Sequence, residues 1–241
     1  INYRNPRIER IEIALDKPIG DKSLKIVAVS DVHLGHGTGK EKLRRYVGMI
    51  NRERPDIVVI AGDLIDNSVA PLREERMEEE LSGIEAPLGV YMALGNHEYI
   101  SGVGECADFL AQTPIKVLRD SVVALPGGVQ IAGRDDRMNR NRLSLDGLLS
   151  KCDVARPIII LDHQPYNLAE VDAARIDLQI SGHTHHGQVF PLNFITDAIY
   201  EQSHGYRKWT YSHIYVSSGL SLWGPPFRIG TRSDMAVITL K

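Results

Sequence analysis

Aspartate, asparagine and histidine recur in five short segments of this chain: Asp31-Val32-His33, Gly62-Asp63, Gly95-Asn96-His97-Glu98, Asp162-His163-Gln164-Pro165 and Gly182-His183-Thr184-His185. Carboxylate, amide oxygen and imidazole are hard or borderline donors of the kind that divalent cations take. A pair of such cations about 3.5–4 Å apart, bridged by one carboxylate, lowers the pKa of a shared water and supplies hydroxide near neutral pH for hydrolysis. Asp63 has two oxygens and follows Gly62, whose missing side chain permits close approach, so it is the natural bridge. Asp31 and His33 stand two apart, as do His183 and His185, and on an extended segment each pair points to one side. Asn96 adds a neutral oxygen, which limits negative charge. His163 and His183 would complete one ion and His185 the other. Each element alone recurs by chance; their joint occurrence in this order is the signal.

All five segments sit where an apolar run gives way to glycine and polar residues, the exit of a strand, and strand exits carry function on α/β folds. Apolar runs predict strands over residues 8–15 (at a sheet edge), 25–30, 57–61, 89–94, 115–118, 122–125, 129–132, 157–161, 178–181, 214–217 and 236–240. Leu43, Val47 and Ile50 at helical spacing predict a helix over 40–54, closed by Pro55, and further helices are expected over 71–82 and 104–112. Strands alternating with helices argue for an α/β fold. Closely spaced strands in the middle and at the end argue for mixed pairing. The expectation is a four-layer α/β/β/α sandwich of two mixed sheets, a single domain over 1–241 with its motifs in 31–185. No repeat, linker or low-complexity tract interrupts it. The charged run 73–80 reads as a solvated helix face.

Bulk properties agree with a globular fold: 241 residues, 43% hydrophobic, 24% charged. A net charge of -3 gives no global footprint for nucleic acid. Cys106 and Cys152 are two isolated thiols, too few for a disulfide framework. No stretch reaches the ~20 apolar residues of a membrane span. The chain opens on Ile1 rather than Met, and the expectation is that an upstream segment, with any anchor or signal, has been removed.

The ordered motifs resemble those of the calcineurin-like metallophosphoesterases: D-x-H, G-D, G-N-H-D or G-N-H-E, a lone His, then G-H-x-H. The run from Gly182 to Gln188, with Phe190-Pro191-Leu192-Asn193 and the late Ser217–Pro226 stretch, resembles a G-H-T-H-x-G-Q subgroup. Members of that subgroup are often held at a membrane by an upstream hydrophobic segment, and some cleave the pyrophosphate of UDP-2,3-diacylglucosamine. The resemblance implies one ion on Asp31, His33, Asp63 and His185, and another on Asp63, Asn96, His163 and His183. It places His97 beside the scissile phosphate, where an imidazole titrating near neutrality can give a proton to the leaving oxygen.

The metals implied are two divalent ions, with manganese, zinc, iron and magnesium all suited to the donors. The reaction implied is hydrolysis of a phosphodiester, phosphomonoester or pyrophosphate. The substrate would be a phosphorylated small molecule or a lipid-linked one, at a membrane surface or else in the cytoplasm. A nuclease of the same fold and a catalytically silent scaffold are the rival readings. The modest acidity weighs against the first, and the full ligand set against the second.

Glu98 stands where many relatives carry Asp and is expected to orient His97 from behind. Asp66 occupies the place of the tyrosine of purple acid phosphatases and reads as a loop carboxylate. Arg134, in a cluster with Arg137, Arg140 and Arg142, and Arg228 are candidate phosphate or headgroup contacts. The apolar segment 190–195, with Ile199, Tyr200 and Tyr206, reads either as core or as a rim for acyl chains or a bilayer.

Overall fold

The computed structural model describes residues 5–20 and 23–241. Strands β1 (Arg7–Ile13), β2 (Leu24–Val29), β3 (Ile57–Ala61), β4 (Val90–Ala93), β5 (Ile115–Leu118) and the C-terminal β12 (Asp234–Leu240) form one six-stranded sheet in the order β1-β12-β2-β3-β4-β5. A second sheet takes β6 (Ser121–Ala124), β7 (Gln130–Gly133), β8 (Ile158–Leu161), β9 (Leu178–Ser181), β10 (Gly205–Lys208) and β11 (His213–Val216) in the order β10-β11-β9-β8-β7-β6. Both are mixed. β12 runs antiparallel to β2 in the first sheet, and the two outer pairs of the second are antiparallel.

The central strands read as continuous apolar runs because both of their faces are covered. Along β2, Ile26 and Ala28 turn inward with Ile57, Val59 and Ala61 to meet Ile131, Ile159, Leu178 and Ile180 of the second sheet. Val27 and Val29 turn outward with Val58 and Ile60. They are covered by α1 (Lys40–Arg52), whose Leu43, Tyr46, Val47 and Ile50 share one helical face. On the far side, Ala132, Ile158 and Ile160 pack against α6 (Leu145–Leu149) and α7 (Leu168–Ala173). Helix, sheet, sheet and helix thus make the four layers expected, and β1 lies at a sheet edge as its alternating pattern suggests.

The helix expected over 71–82 is two: α2 (Ala70–Glu74) and α3 (Met77–Leu81), separated by Arg76 at φ 52°. In one continuous helix Met77 and Leu81 would point about 140° and 180° away from Leu72. The break lets all three be buried, each at 1% exposure or less. The charged run 73–80 is solvated as expected apart from the buried Met77, and its carboxylates make surface contacts with α1: Glu75 accepts from the Lys40 N–H, while Glu79 and Glu80 pair with Lys40 and Arg44.

Three elements carry no equivalent in the sequence reading beyond α6 and α7. α4 (Asn96–Ile100) contains a motif read as loop, α8 (Leu192–Ile199) follows the last motif, and β10 is an exposed edge. The helix expected over 104–112 is α5 (Val103–Leu110). Cys106 and Cys152 are free thiols.

Candidate metal centre

β2, β3 and β4 are mutually parallel, and so are β8 and β9, so the residues leaving their C-terminal ends emerge together. Those residues are the five motifs. The backbone, however, is not extended there. Asp31 (φ 53°), His33 (φ 47°), Asp63 (φ 53°), His183 (φ 71°) and His185 (φ 47°) all lie in the left-handed region. The side chains of each two-apart pair therefore converge through a tight turn rather than by the alternation of a strand. Bonds between loops hold these turns: Asp31 N–H donates to the Gly62 carbonyl, His33 N–H to that of Asp63, and Gly182 N–H to that of His163.

Two glycines permit the approach. A Cβ on Gly182 would lie 1.9 Å from Ser30 Oγ and 2.1 Å from Asp31 Oδ2, and one on Gly95 2.2 Å from Asp63 Oδ1. With no side chain there, the His183 N–H reaches both Asp31 oxygens at 3.0 Å, and the His97 N–H reaches Asp63 Oδ1 at 2.9 Å.

The seven predicted ligand side chains fall into two groups. Asp31, His33 and His185 form one: His185 Nε2 is 3.3 Å from Asp31 Oδ1 and 3.0 Å from His33 Nε2. Asp63, His163 and His183 form the other, with Asn96 between the two rings. Its Oδ1 is 3.2 Å from His163 Nε2 and 2.9 Å from His183 Nδ1. Asp63 Oδ2 lies 3.0 Å from His163 Nε2 and 3.9 Å from His33 Nε2, between the groups.

His163 tests whether a cation fits. Its Nδ1 must donate to the Ala61 carbonyl, 2.7 Å away, because a carbonyl only accepts. Nε2 of the neutral ring then turns a lone pair toward Asp63 Oδ2 and Asn96 Oδ1, an arrangement that calls for a proton or a metal ion among them. Without metal a proton is held: burial works against it, but the Asp63 carboxylate outweighs burial and raises His163 well above 6.5. Burial, then the charge of His163, pulls His183 down to about 4. Burial alone would raise Asp31, but His185, His163 and His33 hold it below the usual carboxylate range. The donor set fits divalent cations.

His97 is buried and lies edge-on to the His33 ring, with centroids 4.6 Å apart. Its Nδ1 is 2.8 Å from the Asp66 carbonyl oxygen and 3.2 Å from Asp66 Oδ1, which also lies 3.2 Å from His33 Nδ1. Burial would lower His97, but the bonds to Asp66 and the charge of Asp63 hold it up at about 9. Asp66 is thus the carboxylate behind both rings, a part the sequence reading gave to Glu98. The available signal was its place three residues after Asp63, in the same loop.

Glu98 does not reach the His97 ring. Fully buried, its carboxylate accepts from the N–H groups of Asp63 (3.0 Å), Ile65 (2.9 Å) and Gly95 (2.7 Å), clamping the Asp63 loop to the start of α4.

The two arginines are engaged inside the protein. Arg134 and Arg142 pair with Asp162, which precedes His163, and Arg134 also donates to the Leu143 carbonyl. Arg228 is 3% exposed and donates to the carbonyls of His185, Ser218, Ser221 and Arg232. Neither lines the cavity over the clustered residues. Arg228 instead braces the turn of His185.

That cavity has a volume of about 420 Å³. Its lining includes the polar side chains of His33, Asp63, Asn96, His97, His183 and His185 and the apolar ones of Val189, Leu192, Ile195, Trp223 and Pro225. Phe190, Phe194 and Ile199, in or next to the segment that supplies Leu192 and Ile195 to this lining, are exposed, as is Phe227.

Residues 24–187 match the family model for calcineurin-like phosphoesterases. The chain is 34% identical over 241 residues to an uncharacterized metallophosphoesterase of Helicobacter pylori, covering 98% of this chain and 64% of that protein. It is 36% identical over 253 residues to a transmembrane protein with metallophosphoesterase domain from Danio rerio, covering 98% of this chain and 57% of that one. The chain therefore spans less than two thirds of the length of these curated relatives. Its fold is similar to that of a 5'-nucleotidase precursor from Thermus thermophilus, with a TM-score of 0.55, 18% identity, and coverage of 90% of this chain and 55% of the other.

Proposed function

Because the chain belongs to the calcineurin-like phosphoesterase family, we propose that it is a metal-dependent phosphoesterase that works with a pair of divalent cations on a lipid-linked phosphate substrate, such as UDP-2,3-diacylglucosamine. Asp31, His33, Asp63 and His185 would hold one cation, and Asp63, Asn96, His163 and His183 the other. Residues 1–241 would form one catalytic domain of the G-H-T-H-x-G-Q subgroup. Bound Mn2+, Zn2+, Fe2+ or Mg2+ would acidify a water and offset phosphate charge.

The observation that carries this reading is a cavity whose lining joins the clustered polar donors to apolar side chains. A phosphate group suits the first and an acyl chain the second. His97 gives its Nδ1 proton to the Asp66 carbonyl, so Nε2 is the atom left to pass a proton to the leaving oxygen. A value near 9 keeps that proton in place at neutral pH. Asp66 fixes both the orientation and the charge of the ring.

The apolar rim continues onto α8, where Phe194 is 62% and Ile199 58% exposed. Such a rim supports contact with a bilayer surface. Among the described residues no helix is long and apolar enough to cross a membrane. The name of the Danio rerio relative supports a membrane setting for this chain as well.

The test is a screen of metal-reconstituted protein on phosphomonoesters, cyclic nucleotides, oligonucleotides and nucleotide-linked lipids, with Asp63→Ala as control. A higher kcat/KM on the nucleotide-linked lipid than on its deacylated counterpart is expected. Equal rates on the two would remove the lipid reading and leave the phosphoesterase standing. Activity surviving in Asp63→Ala would remove the metal assignment.

A further inference from the structure

Gln188 closes the run that begins at Gly182 and lines the cavity, yet it is 5% exposed and its amide is spent on backbone. Nε2 donates to the carbonyls of Trp223 (2.7 Å) and Pro225 (3.4 Å), and Oε1 accepts from the Trp223 N–H (3.0 Å). Both amide hydrogens are thereby used, which leaves none for a substrate. The Gln188 backbone is fixed as well. Its N–H donates to the His185 carbonyl, and its own carbonyl accepts from the Ile229 N–H and the Thr231 hydroxyl.

The partner segment needs such a tie. Residues 217–233 join β11 to β12, and Trp223-Gly224-Pro225-Pro226 lies outside every helix and strand. Pro225 and Pro226 have no N–H, so this tip cannot build a backbone ladder of its own. The Gln188 amide pairs with the Trp223 N–H and carbonyl as the backbone of a neighbouring strand would. Trp223 and Pro225 line the same cavity as His33, His97 and His185, while Trp223 remains 52% exposed. Its indole brings more apolar area to the lining than an aliphatic side chain could.

We propose that Trp223 is the specificity-determining residue for an apolar group carried beside the phosphate, and that Gln188 is the positioning residue that keeps Trp223 in the lining. Both roles rest on the proposed function, in which the apolar part of the lining receives part of the substrate. One residue connects the two parts of the site. The Gln188 N–H meets the carbonyl of His185 while its side chain meets Trp223, so Gln188 sets the indole's place relative to the clustered donors.

Two phosphodiesters, methyl p-nitrophenyl phosphate and butyl p-nitrophenyl phosphate, test this with Mn2+ present. A buried methylene is worth about fourfold in affinity, so the longer chain along the indole should favour the butyl ester by about tenfold or more in kcat/KM. Trp223→Ala should bring that ratio down to about threefold or less, with the loss appearing in KM. Trp223 is half exposed, so its truncation does not open the core. Gln188→Met, similar in length but without the amide, should lower the ratio in the same way. In a Trp209→Phe background, where Trp223 is the single tryptophan, Gln188→Met should also raise acrylamide quenching of its fluorescence. Phe227→Ala, on the same loop but outside the lining, should keep the wild-type ratio. Equal ratios in wild type and Trp223→Ala would overturn the specificity role, and so would an equal fall in Phe227→Ala. Unchanged quenching and ratio in Gln188→Met would overturn the positioning role. Hydrolysis of neither ester, with bis-p-nitrophenyl phosphate also untouched, would instead remove the phosphoesterase function on which both roles rest.

Discussion

Asp66→Asn takes a charge away from two imidazoles while keeping the side chain's shape. In the wild type Asp66 Oδ1 is 3.2 Å from both His97 Nδ1 and His33 Nδ1, and the Asp66 carbonyl is 2.8 Å from His97 Nδ1. The carbonyl remains in the variant, so the His97 ring keeps its orientation and the change is chiefly electrostatic. An opposite charge at this range shifts a pKa by roughly 1–3 units. The Asp66 side chain is 31% exposed, and solvent screening places the effect at the lower end, about 1–2 units. His97 starts at about 9 and donates from its protonated form. The alkaline limb of kcat/KM should therefore move down by about 1–2 pH units. At pH 8.5 that is a loss of between roughly threefold and twenty-five-fold, with little change at pH 6. The assay is hydrolysis of bis-p-nitrophenyl phosphate from pH 5.5 to 10 at saturating Mn2+, a level fixed separately for each protein because His33 is also affected. Cations in the cluster act on both proteins alike, so the comparison isolates Asp66. An alkaline limb that stays put would refute the role given to His97, whatever happens to the overall rate.

Glu98→Gln places an amide group against one of the three N–H donors its carboxylate now serves, at a cost of about 2–4 kcal/mol in urea unfolding of the metal-free protein; a loss under about 1 kcal/mol would mean those donors find other partners. Burial, then the charge of Asp63, raises Glu98 to about 7 from 4.5, so the folded protein binds this proton more tightly than the unfolded one. The stability of metal-free wild type relative to Glu98→Gln should therefore be highest below pH 4.5 and decline as pH rises toward 7, which paired unfolding curves at pH 4, 5.5 and 7.5 would show. Gly182→Ala drives a methyl into Asp31 and Ser30 and should lower turnover by about 100-fold by misplacing the carboxylate, while unaltered turnover would show slack in the loop. Phe194→Ser should weaken co-sedimentation with phosphatidylglycerol-containing vesicles without altering the unfolding midpoint, because Phe194 is exposed; equal sedimentation of both proteins, or none by the wild type, would count against the bilayer contact.

The strands that position the site were legible because they are central. With both faces covered, residues such as Ile57–Ala61 must all be apolar, and the run announces itself. α1 was legible because one of its faces is buried and the other wet. α4 was not, because its first turn is the Gly95-Asn96-His97-Glu98 motif, whose residues are chosen for chemistry and for clamping Asp63 rather than for helix propensity. α8 was ambiguous for the opposite reason. Its Phe194, Ile195 and Ile199 look like core in the sequence, and only the structure shows them exposed. β10 is a charged edge that owes its place to pairing with β11. The separation of α2 from α3 was readable in principle, since Leu72, Met77 and Leu81 fit no single helical stripe.

Residue type and order showed which side chains could bind metal, but not how the backbone presents them. Among the described residues, twelve non-glycine positions have positive φ, and Asp31, His33, Asp63, His183 and His185 are five of them. Each such conformation costs of order 1–2 kcal/mol and survives only where its surroundings over-determine it. Here the surroundings are the other motifs. The Asp31 loop donates to the Gly62 and Asp63 carbonyls, Asp63 accepts from the His97 N–H, Glu98 holds the Asp63 loop, and Asp31 accepts from the His183 N–H. Each loop is thus held in its strained turn by its neighbour in space, across separations of 34 residues in one case and 152 in another. No reading of one motif at a time could supply that geometry. Bonds between polar backbone and fixed carboxylates thus set the distances between these side chains.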